Sequence, residues 1–396
     1  MGDLASVHDI TFGTGHEIYG KTILPAIEAA QDEVILVTCF WAASDTRNAV
    51  KETLLKLNST AVQRGDKKIR VRIGFSSCSL FQKLFHTSSP AGRTYTPSEW
   101  TKKLGLPAQE AIPGLDLQVK SIFFLPFSVW HPKFVIIDGK EVFLPSCNVS
   151  WEDWFEGCVR FDGLIVRSFI DFWISHWKSQ GDNAPITVAQ ENLPSTASVL
   201  GLANVACKFL PSSHHRNPNF RLPWQQCAPA PKTPLNVELL DLFAGATRTI
   251  YMQTPNVTCP PVLDALLQAL KRGVNVTILT SEKLMILEQL VTAGTTTSRC
   301  VRNLIRKHEA LLLGQSDEEA GFARVGSLQI SYYVSRAQPK AGSAEPVQSH
   351  LKLTIVDGEA IVFGSGNMDR ASWFTSQELG VAFYSGSGRA KKAGLQ

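Results

Sequence analysis

Two short segments of this chain repeat the same chemically active residue types in the same order. The second segment lies 219 residues (350 minus 131) after the first, and this offset holds at five polar positions. Imidazole and ammonium groups two residues apart can together bind and attack an anion. The repeated pairs are His131 and His350, Lys133 and Lys352, Asp138 and Asp357, Ser146 and Ser365, and Asn148 and Asn367.

The repetition favours catalysis over structure. One histidine on a half-apolar strand is more often a buried structural residue, but packing does not require a lysine beside it twice. If two halves pack about a pseudo-twofold axis, both imidazoles and both ammonium groups converge with two Ser/Asn pairs, forming a phosphate diester site. Cations and neutral donors there would neutralise charge on the phosphate oxygens without a metal or other cofactor.

The imidazoles would divide the remaining chemistry between them. One would attack phosphorus and form a phosphohistidine, while the other would protonate the leaving oxygen and later activate water or an alcohol. The residues alone do not say which histidine takes which role.

Alternation predicts how each segment is built. If a strand begins at His131, then His131, Lys133 and Val135 share one face, and Phe134 and Ile136 take the apolar face. The second copy alternates in the same way. Asp-Gly follows in both copies and predicts a tight hairpin turn. A second strand then leads to the Ser/Asn pair.

Looser similarity extends upstream of both segments. Arg64-Gly65 precedes an alternating strand at 69–73, and Arg272-Gly273 precedes one at 274–279. Each pattern is typical of a helix that ends at glycine and is followed by a strand. Strand–helix–strand order predicts parallel pairing, because parallel connections need a crossover.

The predicted fold class is therefore α/β, with two lobes related by a pseudo-twofold axis. Each lobe is expected to be a mixed, mostly parallel sheet flanked by helices. A Pro-, Ser- and Asn-rich stretch between the repeats reads as a connector with some short elements. The predicted divisions are a first lobe at 1–178 with its motif at 131–148, a connector at 179–235, and a second lobe at 236–396 with its motif at 350–367.

Composition sets broad limits. The 396 residues are 44% hydrophobic and 19% charged, with a net charge of +4, which is typical of a folded two-domain protein and favours an anionic partner only mildly. Eight cysteines without a Cys-x-x-Cys pair predict a reduced chain without a zinc site. Since no signal peptide or 18-residue apolar stretch is visible, we expect a cytoplasmic protein, with peripheral membrane contact left open.

The paired motif His-x-Lys-x4-Asp, followed by Ser-x-Asn, resembles the signature of the phospholipase D superfamily. The second copy, Gly364-Ser-Gly-Asn-Met-Asp, is also similar to cardiolipin synthases, whereas Pro145 replaces the glycine in the first copy. The resemblance implies a phosphodiesterase or phosphatidyltransferase. It implies that His131 is the nucleophile and His350 the general acid.

The resemblance also implies acidic partners for the histidines. It includes Asp138 and Asp357 among the catalytic motif residues, although their strand parity and turn position do not suit them to hold their own imidazoles. Members of the family use an acidic residue further along the chain, and two glutamates align there: Glu156 and Glu378. We expect these glutamates to orient the imidazoles; the alternative is that they are surface charges at strand edges.

The substrate is less constrained. The aromatic stretch 122–130 suits an acyl chain or an interfacial lid, with a buried strand as the alternative. The insertions 79–120 and 284–349 are expected to form the walls of the cleft.

Three hypotheses for the function follow. A phospholipid diester as the substrate is the first hypothesis. A nucleic acid, cleaved by a metal-independent nuclease, is the second, and an inactive lipid- or protein-binding scaffold is the third. Both motifs lie in one chain, so a monomer is sufficient.

Overall fold

The computed structural model describes residues 3–65, 67–79, 89, 91–124, 128–178, 202–215, 229–314, 324–335 and 346–385. Most strands in this part of the chain join one continuous 16-stranded sheet.

Ten strands precede the connector. They are β1 (Asp3–Gly13), β2 (Glu33–Phe40), β3 (Ile69–Ser77), β4 (Arg93–Thr94), β5 (Leu115–Ser121), β6 (Phe123–Phe124), β7 (Ser128–Val129), β8 (Phe134–Ile137), β9 (Glu141–Pro145) and β10 (Trp154–Gly163). Eight more follow. They are β11 (Leu202–Ser212), β12 (Thr249–Gln253), β13 (Asn275–Thr280), β14 (Leu328–Tyr332), β15 (Gln348–Ser349), β16 (Leu353–Val356), β17 (Ala360–Gly364) and β18 (Glu378–Tyr384).

The helices lie mainly between strands. They are α1 (Gly15–Ile18), α2 (Leu24–Glu28), α3 (Asp45–Arg64), α4 (Pro97–Leu104), α5 (Ile165–His176), α6 (Pro234–Gly245), α7 (Pro260–Lys271), α8 (Ile286–Ala293), α9 (Thr297–Leu313) and α10 (Arg370–Phe374). A π-helical segment, Tyr19–Ile23, joins α1 to α2, and a 3₁₀ turn covers Gln109–Ala111.

The two halves have the same strand order. From the outside inward, the first half runs β5-β3-β2-β8-β9-β10 and the second runs β14-β13-β12-β16-β17-β18. Strands β1 and β11 lie between them, pair with each other, and pair with β10 and β18, respectively. This order relates the halves by a pseudo-twofold axis and confirms the predicted α/β fold. The two lobes share one sheet because β1 and β11 join them, and β11 comes from the predicted connector.

The sheet is mixed, as predicted, but parallel pairs do not predominate. Within each half, parallel pairing is limited to β2-β3-β5 and their equivalents β12-β13-β14, and between the halves the short strand β15 pairs in parallel with β10. Helices α3 and α7 make the crossovers from β2 to β3 and from β12 to β13. The motif strands β8, β9 and β10 and their equivalents are antiparallel, because tight turns and short loops cannot make a parallel crossover.

Both predicted motif hairpins are present. Asp138 and Gly139 have φ of 53° and 64°, and Asp357 and Gly358 have φ of 56° and 70°. Two successive residues with positive φ make a type I′ turn, whose twist matches antiparallel strands. The turns close with hydrogen bonds of 2.9 Å from the Lys140 amide and 3.0 Å from the Glu359 amide. The Asp-Gly pairs therefore define the hairpins locally.

The motif strands begin later than predicted, at Phe134 and Leu353 rather than at the histidines. The backbone amides of His131 and His350 instead donate to carbonyls of the opposite lobe, at Gln377 and Phe155. The histidine segments therefore leave the hairpin register before the sheet begins.

Both faces of the sheet are buried around the first motif. Val135 and Ile137 pack in one hydrophobic cluster, whereas Phe134 and Ile136 pack in another. Helix α5 covers the second face, where the rings of Phe134 and Phe169 lie 5.5 Å apart, so the helix packs in the core. This rigid base fixes the strand that follows His131.

Candidate active site

The two repeated motifs meet at one cleft of about 520 Å³ between the halves of the sheet. This volume is in the usual range for ligand sites. Its described lining includes five residues that the sequence nominated: His131, Asn148, His350, Asn367 and Glu378.

Each histidine is positioned by the opposite lobe. Trp130 forms a parallel bridge with Gln377, and the next amide, that of His131, donates to the Gln377 carbonyl at 2.9 Å. In the other lobe, β15 pairs in parallel with the start of β10, and the His350 amide donates to the Phe155 carbonyl at 2.9 Å. The lobes thus exchange short segments, and each exchange delivers one histidine to the cleft.

The two nominated glutamates contact the histidines in a crossed pattern. Nδ1 of His131 lies 2.9 Å from Oε2 of Glu378, and Nδ1 of His350 lies 2.7 Å from Oε1 of Glu156. Both glutamates are 1–2% exposed, so they are not surface charges at strand edges. Because an ionised carboxylate can only accept, each accepts a hydrogen bond from the Nδ1–H of the other lobe's histidine. A neutral ring held in this way keeps its lone pair on Nε2.

The two motif serines bind these carboxylates rather than line the cleft. The Ser146 hydroxyl donates to Glu156 at 2.5 Å, and the Ser365 hydroxyl donates to Glu378 at 2.6 Å. Each serine oxygen also accepts a backbone amide, from Gly157 or from Leu379. Since neither serine is among the described cleft residues, a phosphate contact for either remains only a sequence prediction.

The two lysines are buried beside the histidines of their own motifs. Nζ of Lys133 donates to the His131 carbonyl at 3.0 Å, and Nζ of Lys352 donates to the His350 carbonyl at 2.5 Å. Burial, opposed by Glu156 and assisted by the nearby Lys133 ammonium, lowers the pKa of Lys352 to about 7. Near neutral pH, Lys352 is therefore only partly protonated.

Burial also controls the protonation of the histidines. It lowers the pKa of His131, and it lowers that of His350 to about 3, although the facing glutamates act in the opposite direction. Burial would raise the pKa of Glu156, but His350 and Lys352 outweigh it and hold that pKa at about 2. At neutral pH the buried His350–Glu156 pair is therefore a neutral imidazole against an ionised carboxylate.

The two asparagines line the cleft, as their motif positions suggested. Oδ1 of Asn148 accepts the Phe40 amide at 3.2 Å, which ties Asn148 to the end of β2. Nδ2 of Asn367 donates to Asp369 at 3.0 Å, and its Oδ1 has no hydrogen-bond partner in the described part of the chain. Asn367 therefore keeps a buried polar atom available beside the cleft.

Asp138 and Asp357 lie away from the cleft lining. The Asp138 carboxylate accepts the backbone amides of Gln31, Asp32 and Glu33, just before β2. The Asp357 carboxylate accepts the amides of residues 247–249 before β12. Burial opposes ionisation of Asp357, but these amide donors hold its pKa below the ordinary value. Both aspartates join a motif turn to the adjacent strand.

Two more cleft residues lie next to the candidate catalytic groups. Asp369 lines the cleft, and burial raises its pKa. The sequence shows it as the Asp of the cardiolipin-synthase-like stretch, where it is an alternative to the two glutamates as the carboxylate near a histidine. The ring of Trp154 lies 4.7 Å from that of His350. No local pattern indicates this contact, because the two residues come from different lobes.

Further cleft residues come from the second predicted insertion. Met285, Leu287, Glu288, Val291 and Thr292 all lie within 284–349 and line the cleft, as expected. None of the described residues of the other insertion, 79–120, does so. Phe123 and Val129 from the aromatic stretch reach the lining, while Phe123 is also buried in the protein.

Comparisons with known proteins agree with this architecture. A family model described as "Cardiolipin synthase, PLD-like domain" matches residues 239–391, which include the second motif. The chain is similar to the crystal structure of phosphatidylserine synthase from Haemophilus influenzae Rd KW20, with a TM-score of 0.60 and 16% identity, covering 99% of this chain and 86% of that one. The resemblance to the phospholipase D superfamily is confirmed, and the likeness to the solved structure establishes the fold.

A second solved structure is a phospholipase D family member, Nuc from Salmonella typhimurium. It matches with a TM-score of 0.29 and 18% identity, covering 48% of this chain and 90% of that one, which is too loose to bear on the function. No curated protein matches the chain.

Proposed function

We propose that this protein is a phosphodiesterase of the phospholipase D type that acts on the headgroup diester of a phospholipid, by hydrolysis or by phosphatidyl transfer. The observation that carries this proposal is the pair of crossed His–Glu contacts at a single cleft. They hold two imidazoles in one tautomer, with both Nε2 atoms available, beside two buried lysines.

In the proposed reaction, the Nε2 lone pair of His131 forms a bond to phosphorus. The bond from phosphorus to the leaving oxygen breaks, and His350 gives that oxygen a proton. Water or an alcohol then attacks phosphorus and loses its proton to His350, and the P–N bond breaks. Because His350 is neutral in the empty cleft, the anionic diester must raise its pKa on binding, as an opposite charge does.

Other residues support this exchange. We assign Asn148 and Asn367, which line the cleft, to phosphate positioning, and the buried Lys133 and Lys352, which do not line it, to charge neutralisation at longer range. Ser146 and Ser365 would orient the two glutamates. Asp138 and Asp357 would act at longer range by fixing the hairpins that carry the lysines.

The cleft lining favours a lipid over a nucleic acid. Its described residues include the apolar side chains of Phe40, Phe123 and Leu287, together with the carboxylates of Glu152 and Glu288, and contain no lysine or arginine. A nucleic-acid groove pairs phosphates with cationic side chains and stacks bases on aromatic rings. An acyl chain and a small headgroup fit the observed mixture better.

Membrane contact would then be peripheral. Among the described residues, no helix is both long and apolar enough to cross a bilayer. We propose a cytoplasmic protein that meets its lipid at a membrane surface. One copy should suffice, since both halves of the candidate site come from one chain.

A turnover screen tests the proposal. Phosphatidylcholine, phosphatidylglycerol, single-stranded DNA and RNA are each incubated with the protein in EDTA, with and without glycerol as an acceptor. We expect headgroup release from a phospholipid, a glycerol-dependent product if the enzyme is a transferase, and no loss of activity with EDTA. His131→Ala is the inactive control. Cleavage of nucleic acid alone would favour the nuclease, and turnover of none of the four would favour the scaffold.

A further inference from the structure

Helix α8 presents its apolar residues outward. Ile286, Leu287, Leu290 and Val291 are 39%, 76%, 44% and 38% exposed, whereas its one buried residue is Gln289. A surface helix of a folded protein normally buries its apolar stripe and exposes its polar one. Among the described residues, nothing covers this side of α8.

The helix is nevertheless firmly attached. The Gln289 side-chain amide donates to the Leu284 carbonyl at 2.7 Å, and its oxygen accepts the Thr297 amide at 2.6 Å and the Thr297 hydroxyl at 2.9 Å. Met285, just before the helix, adopts a left-handed backbone with φ of 52°, which is uncommon for a residue with a side chain. A buried glutamine therefore holds α8 with its apolar side outward.

This apolar surface is continuous with the cleft. Leu287 and Val291 are both exposed to solvent and part of the cleft lining. In the other lobe, Trp151 is 65% exposed and adjoins Glu152, which also lines the cleft. The mouth of the cleft thus has exposed apolar side chains from α8, and an exposed tryptophan, a residue enriched at membrane interfaces, is next in sequence to a lining residue of the other lobe.

Exposed cations lie next to the helix. Lys283 precedes α8, and Arg299 follows on the first turn of α9. The Ser298 hydroxyl donates to the Glu282 carbonyl at 3.3 Å, which joins the two segments and brings their basic residues to one end of α8. An apolar strip with cations at its border complements the acyl boundary and phosphate groups of an anionic bilayer.

We propose that the exposed side of α8 inserts into the headgroup–acyl boundary of an anionic phospholipid bilayer and brings the cleft mouth to the lipid. This inference rests on the proposed lipid function and names the surface that would carry the membrane contact. A protein covering the same side would obstruct the cleft, because Leu287 and Val291 belong to both surfaces. A bilayer instead presents the substrate there.

The test compares two double variants. Ile286→Asp with Leu290→Asp changes the exposed side of α8 at positions that do not line the cleft. Leu312→Asp with Leu313→Asp makes the same change in charge at the end of α9, where the leucines are 47% and 87% exposed. Each protein is sedimented with vesicles of phosphatidylcholine and phosphatidylglycerol, and turnover is measured on those vesicles and on a monomeric short-chain phospholipid.

We expect the α8 variant to bind vesicles about tenfold or more weakly and to lose vesicle turnover in parallel, since it removes two apolar side chains from the interface. Its turnover of the monomeric lipid should stay within about twofold of wild type. The α9 variant should match wild type in every assay. Leu290→Ser gives a milder version if the double variant does not fold.

Two results would overturn the inference: a wild-type protein that does not sediment with vesicles, or an α8 variant that binds them as wild type does. Failure of the proposed function would look different. A wild-type protein that turns over neither lipid form would refute the lipid activity, while vesicle binding would still report whether α8 docks on a bilayer.

Discussion

The two lobes share a backbone plan but surround their histidines differently. The side chain of His131 is 13% exposed at the cleft, whereas that of His350 is 3% exposed and lies against Trp154. The tryptophan at the equivalent position of the second repeat, Trp373, is buried in that lobe's hydrophobic core instead. Equivalent motifs have therefore acquired unequal environments, which suits two histidines that would perform different steps.

A short helix, present in only one repeat, accompanies this difference. Asp369 accepts the Ser372 amide at 2.8 Å and caps α10, which carries Trp373 into the core. The equivalent residue in the first repeat is Ser150, where no helix follows and Trp154 starts β10. A helix cap present in one repeat and absent from the other thus changes which surface receives the tryptophan.

Replacing each histidine should have the largest effect and would test the division of roles directly. His131→Ala should abolish the covalent phospho-enzyme, because the proposed nucleophile is gone. His350→Ala should lose only general acid and base help, worth ~10²–10⁴-fold, and a nitrophenyl diester with a good leaving group should recover much of the first-step rate. Acid quenching of both variants measures the trapped intermediate.

In that experiment the intermediate should accumulate in His350→Ala, since the same residue would activate the attacking water. If the phospho-enzyme instead accumulates in His131→Ala and is absent from His350→Ala, the two lobes have the opposite roles.

The crossed glutamates give the next largest effect. Glu378→Gln should slow formation of the phospho-enzyme, because Glu378 holds His131, whereas Glu156→Gln should slow its breakdown, because Glu156 holds His350. We expect about 10- to 100-fold losses, as for other residues that orient a functional histidine. Pre-steady-state bursts separate the two steps.

Glu359→Gln is the matched control, since Glu359 pairs with Arg248 at the surface. If Glu378→Gln and Glu156→Gln both showed the burst kinetics of the wild type, other groups would orient the histidines.

A smaller effect should appear in the pH dependence. The pKa of Lys352 is about 7, so its positive charge is present below that pH and is lost as the pH rises through it. The kcat/KM of the free enzyme should therefore fall by up to about tenfold per pH unit on the alkaline side. In Lys352→Arg the side chain stays charged, so a lower but flat alkaline profile is expected. If kcat/KM of Lys352→Arg fell at alkaline pH as it does in the wild type, the ionising group would not be Lys352.

The turn aspartates should affect stability with little effect on chemistry. Asp357→Asn removes the charge that accepts three backbone amides and should lower the free energy of unfolding by about 1–3 kcal/mol. Because the pKa of Asp357 is lowered in the folded protein, its contribution is present above the unfolded value and is lost as the pH falls through the folded value. Urea denaturation at pH 7 and at pH 3 measures this, and the difference between variant and wild type should shrink at the lower pH.

If Asp357→Asn instead abolished turnover without changing stability, the aspartate would belong to the catalytic chemistry that the family resemblance implied.

Local features of the site were predictable from the sequence, whereas contacts between the lobes were not. The Asp-Gly pairs require positive φ and so determine both hairpins within four residues. The fixed offset indicated that His131 and His350 would meet. The crossed partners of Glu156 and Glu378 could not be read, because they depend on segments that pair across the pseudo-twofold axis.

The start of the motif strands was predicted wrongly. The histidines were expected to start the motif strands, but their backbone amides bond to the opposite lobe. The predicted connector supplied β11, a central strand of the shared sheet, although its composition resembles a linker. The exposed apolar side of α8 could not be predicted either. Apolar periodicity shows which side of a helix is apolar, but not whether that side faces the core or the solvent.

The exchange of carboxylates between the lobes makes the two halves of this chain depend on each other as the subunits of an obligate dimer do. Neither half contains a histidine together with the glutamate that holds it. A half expressed alone would therefore have neither His–Glu pair. Mixing two separately made halves should restore function only where they reassociate, and the tether in the intact chain maintains the high effective concentration that such reassociation requires. Evolutionary change in one half is consequently limited by the needs of the other, even at positions that never contact substrate.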